Sequence, residues 1–169
     1  MDEYPLPNLS ILLDNLGNYT RFFSVDVMSA FWQTKIREDQ RDIFAFRTPK
    51  RMYRPLRLPF GARNSPATWV RLLDKVFEGM NHNEVYMDDI LIHTSDDETH
   101  LEAIDELLQR LEDANLTLKP EKNKILVPEL TYLGHIISAD GAKPDPAKLE
   151  AVKNSHDPPV CATCKVSWD

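Results

Sequence analysis

At 169 residues, 42% of them hydrophobic, the chain has the size of one ordinary globular domain or of a large piece of a bigger protein, and no apolar run approaches a membrane span. Its two cysteines, Cys161 and Cys164, exclude a disulfide framework, and no second pair or nearby His cluster completes a zinc site around them. A net charge of -7 argues against a nucleic-acid binder taken as a whole, yet the stretch from Arg47 to Arg71 holds seven basic residues (Arg47, Lys50, Arg51, Arg54, Arg57, Arg63, Arg71) and no acidic one. Such asymmetry fits a phosphate-facing surface on an acidic body, or a solvated hairpin with loose positive charge. The start, MDEYPLPNLS, is neither a signal peptide nor an arginine-rich transit peptide, so an intracellular, cytoplasmic protein is expected.

In chain order, PNLSILLDNL (7–16) predicts a short amphipathic helix stopped by Gly17. FFSVDV (22–27) alternates with period 2 and predicts a strand with Asp26 near its end. Segments 31–36 and 42–47 can pair across the polar REDQR turn, and RMYRPLRL (51–58) reads as a strand that Pro55 confines to an edge or bulge. Ser65-Pro66 opens a helix, with Ser65 as cap and Trp69, Val70, Leu73, Val76, Phe77 and Met80 at helical spacing. Residues 85–92 predict a hairpin with Asp88-Asp89 at its tip. Ser95 to Glu98 matches a capping box, and Leu101, Ile104, Leu107, Leu108 and Leu111 form the apolar face of the following helix. ELTYLGHIIS (129–138) is a further strand run before the Ala-Asp-Gly turn, and PAKLEAVKN can form a last short helix. Residues 155–169 show no periodicity and form an irregular tail. Mixed strands and helices without regular βαβ repeats give an α+β class, with helices on one face of an antiparallel sheet.

Three aspartates carry the chemical interest. If the strand ending at Asp26 and the hairpin bearing Asp88 and Asp89 lie in one sheet, three carboxylates converge at one edge. Their mutual repulsion costs stability unless a cation compensates, and an all-oxygen set suits Mg²⁺ or Mn²⁺. Two such ions are the chemistry of nucleotidyl transfer. The plainer alternatives are a turn for Asp88-Asp89 and a strand-end cap for Asp26.

The words around these residues resolve the choice. Tyr86-Met87-Asp88-Asp89 resembles the YMDD box of reverse transcriptases, RNA-directed DNA polymerases. FFSVDVMSAFWQTKI resembles the family's first catalytic motif, and LPFGARNSPATW (58–69) the motif that follows. LKPEKNK (118–124) resembles its lysine-bearing motif and YLGHIIS (132–138) its primer-grip hairpin. With YPLP at 4–7, the resemblance runs from about residue 3 to 153 and is strongest to the Pol polyproteins of gypsy-type LTR retrotransposons.

That resemblance implies a polymerase palm with partial fingers over residues 1–154. It makes Asp26, Asp88 and Asp89 the catalytic carboxylates, with the Val27 carbonyl as a further ligand to two Mg²⁺ or Mn²⁺ ions. Phe31 would lie under the incoming sugar and exclude a 2′-hydroxyl by steric clash. Met87 would touch the primer end or sugar, Phe60 and Gly61 would border the nucleotide, and Arg63 would reach template backbone or phosphate. Lys122 would protonate the pyrophosphate leaving group, and the hairpin of Tyr132 and Gly134 would position the primer strand. Without the motif, Phe31 and Met87 read as core filling, and Arg63 and Lys122 as solvated charges.

The implied partners are an RNA or DNA template-primer duplex, deoxynucleoside triphosphates and other Pol segments such as RNase H and integrase, with no membrane; transposon particles join the cytoplasm as a location. The family carries further fingers upstream, including a basic strand pair that grips the triphosphate, and a thumb downstream. Neither pattern occurs here, so two readings stand: template-directed DNA synthesis, or an inactive remnant that at most binds nucleic acid or a partner.

Overall fold

The computed structural model describes residues 4–119, 124–147 and 150. In chain order these contain α1 (Leu9–Asp14), β1 (Arg21–Asp26), β2 (Phe46–Arg47), β3 (Met52–Tyr53), α2 (Ser65–Val76), β4 (Asn83–Tyr86), β5 (Asp89–Thr94), α3 (Asp97–Asp113), β6 (Lys124–Val127), β7 (Leu130–Tyr132), β8 (His135–Ser138) and β9 (Gly141–Pro144). An antiparallel sheet in the order β4-β5-β1-β6 is the frame, joined by the two-stranded β2-β3 and the three-stranded β7-β8-β9.

The period-2 pattern of β1 decides which side chains go where. Phe23 and Val25, with Val27 beyond the strand and Ile90 and Ile92 of β5, face α2 and α3 and pack on Trp69, Leu73, Phe77, Ile104, Leu107 and Leu111. Phe22 and Leu91 face the other way and pack on Leu12 and Leu16 of α1 and on Leu130, Tyr132 and Ile137 of the small sheet. The α+β expectation therefore holds for the two long helices, while the opposite face is covered by α1 and the three-stranded sheet. Among the described residues no helix is long and apolar enough to cross a membrane.

Several local expectations shift. The cap of α2 is Asn64, not Ser65; the Ser65 hydroxyl donates instead to the Pro59 carbonyl at 2.9 Å. The cap of α3 is Asp96, one residue after Ser95, and its carboxylate accepts from the Thr99 amide at 2.8 Å. The buried face of α3 is His100, Ala103, Ile104, Leu107 and Leu111, so Leu101 and Leu108 are exposed. The expected pairing of 31–36 with 42–47 does not form. Ser29 and Ala30 take positive φ and reverse the chain into a 3-10 turn, Ala30–Gln33, and 38–44 form another. Segment 34–36 bonds with 56–58 instead, through Ile36 N–H to the Leu56 carbonyl and Leu58 N–H to the Thr34 carbonyl, both at 3.0 Å. The 51–58 strand is thereby split around Arg54-Pro55, with β3 pairing β2. The run 129–138 is a hairpin, folded at Leu133-Gly134. Lys122, most of the expected last helix and the 155–169 tail with Cys161 and Cys164 lie outside the described residues.

Candidate active site

The hairpin of β4 and β5 closes with Tyr86 paired to Asp89, so its two-residue loop is Met87-Asp88, and Asp89 is the first residue of the strand. On its other edge β5 pairs with β1, and the register sets Asp26 directly opposite Asp89. Directly opposed residues of an antiparallel pair project from the same face, with Cβ atoms about 5 Å apart. That face is the one carrying Phe22 and Ser24, away from α2 and α3. Asp88 is tied in by its carbonyl, which accepts from the Val27 amide at 2.8 Å.

Two contacts fix the loop from outside. Met87 has a φ of 55°, a left-handed conformation costly for a side-chain-bearing residue. Its carbonyl accepts from the indole N–H of fully buried Trp69 at 3.0 Å, so helix α2 holds the strained residue. From the other side, the hydroxyl of buried Tyr132 donates to the Asp89 carbonyl at 3.1 Å. The Tyr132-Gly134 hairpin is thus attached to the carboxylate strand itself, and Gly134, at φ 82°, makes its turn.

A short segment at the start of LKPEKNK completes the arrangement. Thr117, Leu118 and Lys119 run antiparallel beside Asp26, Val27 and Met28, with Met28 N–H donating to the Thr117 carbonyl at 2.9 Å and Lys119 N–H to the Asp26 carbonyl at 3.0 Å. These bonds flank the Val27–Leu118 bridge, so the amide and carbonyl of Val27 are not spent on Leu118. The Lys119 ammonium sits 2.7 Å from Asp26 Oδ1. The available signal was the alternation of Leu116 and Leu118 with Thr117 and Lys119, a period too short to distinguish from loop. Gln33 braces this segment: its side-chain carbonyl accepts from the Thr117 amide at 2.7 Å and its amide donates to the Thr117 carbonyl at 2.9 Å.

The electrostatics follow from crowding. Burial, then the Asp26 charge, pushes the Asp88 carboxyl above its ordinary range, with Lys119 partly offsetting both. The hydrogen bond to Asp26 holds Lys119 above the ordinary lysine range, against desolvation and with help from the charges of all three aspartates. The donor set of three carboxylates and a backbone carbonyl is all hard oxygen, which fits Mg²⁺ or Mn²⁺. Among the described residues no three carboxylate, His or Cys side chains are drawn together closely enough to hold an ion as they stand.

The aromatic residues form a second group. Phe31 follows the strained Ser29-Ala30 turn and lies between Trp69 and Phe60, with ring centroids 6.4 Å and 5.2 Å away. Trp32 adds a contact of 5.6 Å to Phe60, and both rings are exposed. Gly61, at φ 79°, turns the chain after Phe60. Trp69 joins the groups, touching Phe31 through its ring and Met87 through its N–H. Arg63 lies in the wall of a cavity of about 670 Å³ with Lys35, Ile36, Arg37 and Thr68.

An antiparallel sheet that presents adjacent carboxylates, one in a hairpin loop and one at the start of its second strand, beside a third on the neighbouring strand, over two packed helices, is the palm of a nucleic-acid polymerase. The chain belongs to the reverse transcriptase (RNA-dependent DNA polymerase) family, whose model matches residues 2–137. It is 38% identical over 153 residues to the retrovirus-related Pol polyprotein from transposon 297 of Drosophila melanogaster, covering 89% of this chain and 14% of the relative. To the Pol polyprotein from transposon gypsy of the same organism it is 35% identical over 159 residues, covering 93% and 15%. The chain therefore spans about a seventh of the length of these relatives. Among solved structures, the foamy viral protease-reverse transcriptase in complex with an RNA/DNA hybrid matches with a TM-score of 0.84 at 25% identity, over 93% of this chain and 21% of that one.

Proposed function

We propose that this chain supplies the catalytic floor for template-directed DNA synthesis from RNA or DNA, extending a primer by nucleotidyl transfer from deoxynucleoside triphosphates. The observation that carries the reading is the register of Asp26 opposite Asp89, with Asp88 in the adjoining loop. Asp26, Asp88, Asp89 and the Val27 carbonyl are the groups that would hold two Mg²⁺ or Mn²⁺ ions, which activate an attacking primer hydroxyl and stabilise the leaving phosphate oxygen when bound.

The chain's own residues do the positioning. Trp69 and Tyr132 grip the two backbone carbonyls on either side of Asp88, which keeps the loop in one geometry before substrate arrives. Phe31, in contact with Trp69 and Phe60, would be the wall against a ribose 2′-hydroxyl. Met87 would meet the primer end or the sugar, and Phe60 and Gly61 would border the nucleotide. Arg63 would reach a template phosphate, Lys122 would protonate the leaving pyrophosphate, and the turn at Tyr132 and Gly134 would support the primer. The foamy viral enzyme is solved with an RNA/DNA hybrid and with double-stranded DNA, which supports a template-primer duplex as partner here. The same reading places the protein inside the cell, as part of a Pol assembly with RNase H and integrase segments.

A second reading, a non-catalytic nucleic-acid-binding remnant, is favoured by one contact: Lys119 already occupies an oxygen of Asp26. Primer extension on an RNA template with Mg²⁺ or Mn²⁺ separates the two. The polymerase reading expects extension by the wild-type chain and none by Asp88→Asn, with duplex binding retained by both and weakened by salt. Duplex binding without extension selects the remnant, and no binding at low salt sinks both.

A further inference from the structure

We infer that Lys119 is a built-in competitor for the metal at the three carboxylates, its ammonium holding the metal-free site together and having to leave Asp26 before an ion can bind. The inference rests on the polymerase reading above and concerns how that site is loaded.

Placement of the ammonium is not accidental to a surface lysine. Backbone bonds of 2.9 and 3.0 Å on either side of the Val27–Leu118 bridge lay the 117–119 segment against the end of β1. Leu116 and Leu118 pack into the core shared with α2 and α3, and alternation turns Thr117 and Lys119 to the other face, where Asp26 projects. The ion pair that results is 2.7 Å long, with Asp26 only 15% exposed and Lys119 40% exposed. Asp26 is directly opposed to Asp89, and like charges so placed repel. A cation on Asp26 relieves that repulsion within the fold.

A divalent ion draws on the same carboxylate. Mg²⁺ takes carboxylate oxygens at about 2.0 to 2.1 Å, and an ammonium 2.7 Å from Asp26 Oδ1 would then face a double positive charge at close range. The two cations therefore compete for Asp26. Lysine suits the part: its flexible stem and partial exposure let the head swing into water, which a planar, bidentate arginine would do less readily. The consequence is a site that resists free divalent ions and fills when a second source of binding energy, such as a nucleoside triphosphate carrying its ion, displaces the lysine.

The test is direct Mn²⁺ binding to the full chain, read from the free-ion EPR signal at fixed pH and ionic strength. Lys119→Met and Lys119→Gln are compared with wild type and Lys119→Arg; the glutamine amide can still donate to Asp26, so it preserves the local fold while removing the charge. The expected result is Mn²⁺ binding about tenfold tighter in both neutral variants, as follows from removing a unit charge a few ångströms away, and binding in Lys119→Arg no tighter than in wild type, since the guanidinium yields less readily. In EDTA the neutral variants melt lower than wild type, and Mn²⁺ raises their melting temperature more. Mn²⁺ affinity equal to or weaker than wild type in both neutral variants overturns the competitor role and leaves the polymerase reading standing. Failure of wild type and variants alike to bind Mn²⁺ overturns both.

Discussion

The sheet with its two long helices buries its large apolar residues, whereas the 30–63 segment buries Ala30, Ile36 and Leu58 and leaves most of its others open. In the first, Phe23, Val25, Ile90, Ile92, Trp69 and Leu107 are packed on one another and almost wholly buried. In the second, Ile43 is 76% exposed and Met52 67% exposed, Phe46 and Tyr53 stack on each other in the open at 5.6 Å, and the regular structure is two-residue strands and 3-10 turns. Burial of a large apolar side chain stabilises by about 1.5 to 3 kcal/mol, so the first region can hold a strained loop and opposed carboxylates, whereas the second is held to it at fewer points, through Ala30, Phe31, Ile36 and Leu58. The chemistry follows the same division. Carboxylates and their braces sit on the rigid part, while Phe60 and Gly61, the nucleotide-facing expectations, sit on the part with least cohesion.

The largest expected effect tests the join between the two regions. Trp69 is fully buried, donates to the Met87 carbonyl and touches Phe31. Trp69→Ala is expected to destabilise the chain by about 3 to 5 kcal/mol in urea unfolding, the range for emptying an aromatic site in a core. Trp69→Phe should cost less than that yet still loosen the Met87-Asp88 loop, since the carbonyl loses its donor. A cost for Trp69→Ala near zero would mean that the sheet core is no better packed than the exposed segment, and the contrast would fail.

The second effect bears on the rigid part alone. His93 of β5 is buried, neither ring nitrogen has a partner among the described atoms, and its neighbours are the Tyr19 ring at 4.3 Å and the His82 ring at 6.4 Å. Burial, then the charges of His82 and His100, lowers it from 6.5 to about 4. His100 on α3 is lowered too, chiefly by burial, with Asp97 and Asp96 opposing and Arg21 assisting. The unfolded chain binds a proton near pH 6.5 that the folded chain refuses until about pH 4, so stability falls as pH drops through that window. His93 accounts for about 2 to 3 kcal/mol of that loss. Unfolding midpoints between pH 7.5 and 4.5 measure it, and His93→Phe should flatten most of the slope. An unchanged slope would place the acid sensitivity elsewhere.

Legibility in the sequence divides along the same line. Period 2 in FFSVDV and helical spacing from Trp69 to Phe77 were readable because one buried face imposes them, and the structure keeps both elements. The YMDD word marked the hairpin, but only pairing could show that Asp89 belongs to the strand and that Met87 shares the loop, since a one-residue shift leaves the apolar pattern intact. The expected pairing of 31–36 with 42–47 does not form because alternation there reflects no shared buried face: a left-handed turn at Ser29-Ala30 sends 34–36 to 56–58 instead. The place of Lys119 is not legible in the sequence because it depends on Leu118 meeting Val27, a contact between residues 91 positions apart.

A smaller effect separates two adjacent capping candidates on the rigid part. The Asp96 side chain accepts from the Thr99 amide, which holds its carboxyl below the ordinary range, whereas the Ser95 carbonyl accepts from the Thr20 hydroxyl at 2.8 Å. Asp96→Ala should lower the melting temperature by about 2 to 4 °C at neutral pH. Ser95→Ala keeps its carbonyl and should change it little. The reverse order would restore the capping box to Ser95.

The smallest effect is on the exposed segment. Phe46 and Tyr53 are both exposed and stack on each other across a strand pair of two residues each. Phe46→Ala removes one ring contact and little else, so urea unfolding should shift by no more than about 0.5 kcal/mol, as for surface positions generally. Circular dichroism in the near ultraviolet should nonetheless lose the contribution of the coupled Phe46–Tyr53 pair while the Trp signals persist. A loss of 2 kcal/mol or more would show that the hairpin of β2 and β3 is packed in solution against something as solid as the core. The division between a rigid floor and a loosely held edge above it would then have to be redrawn with Phe46 on the rigid side.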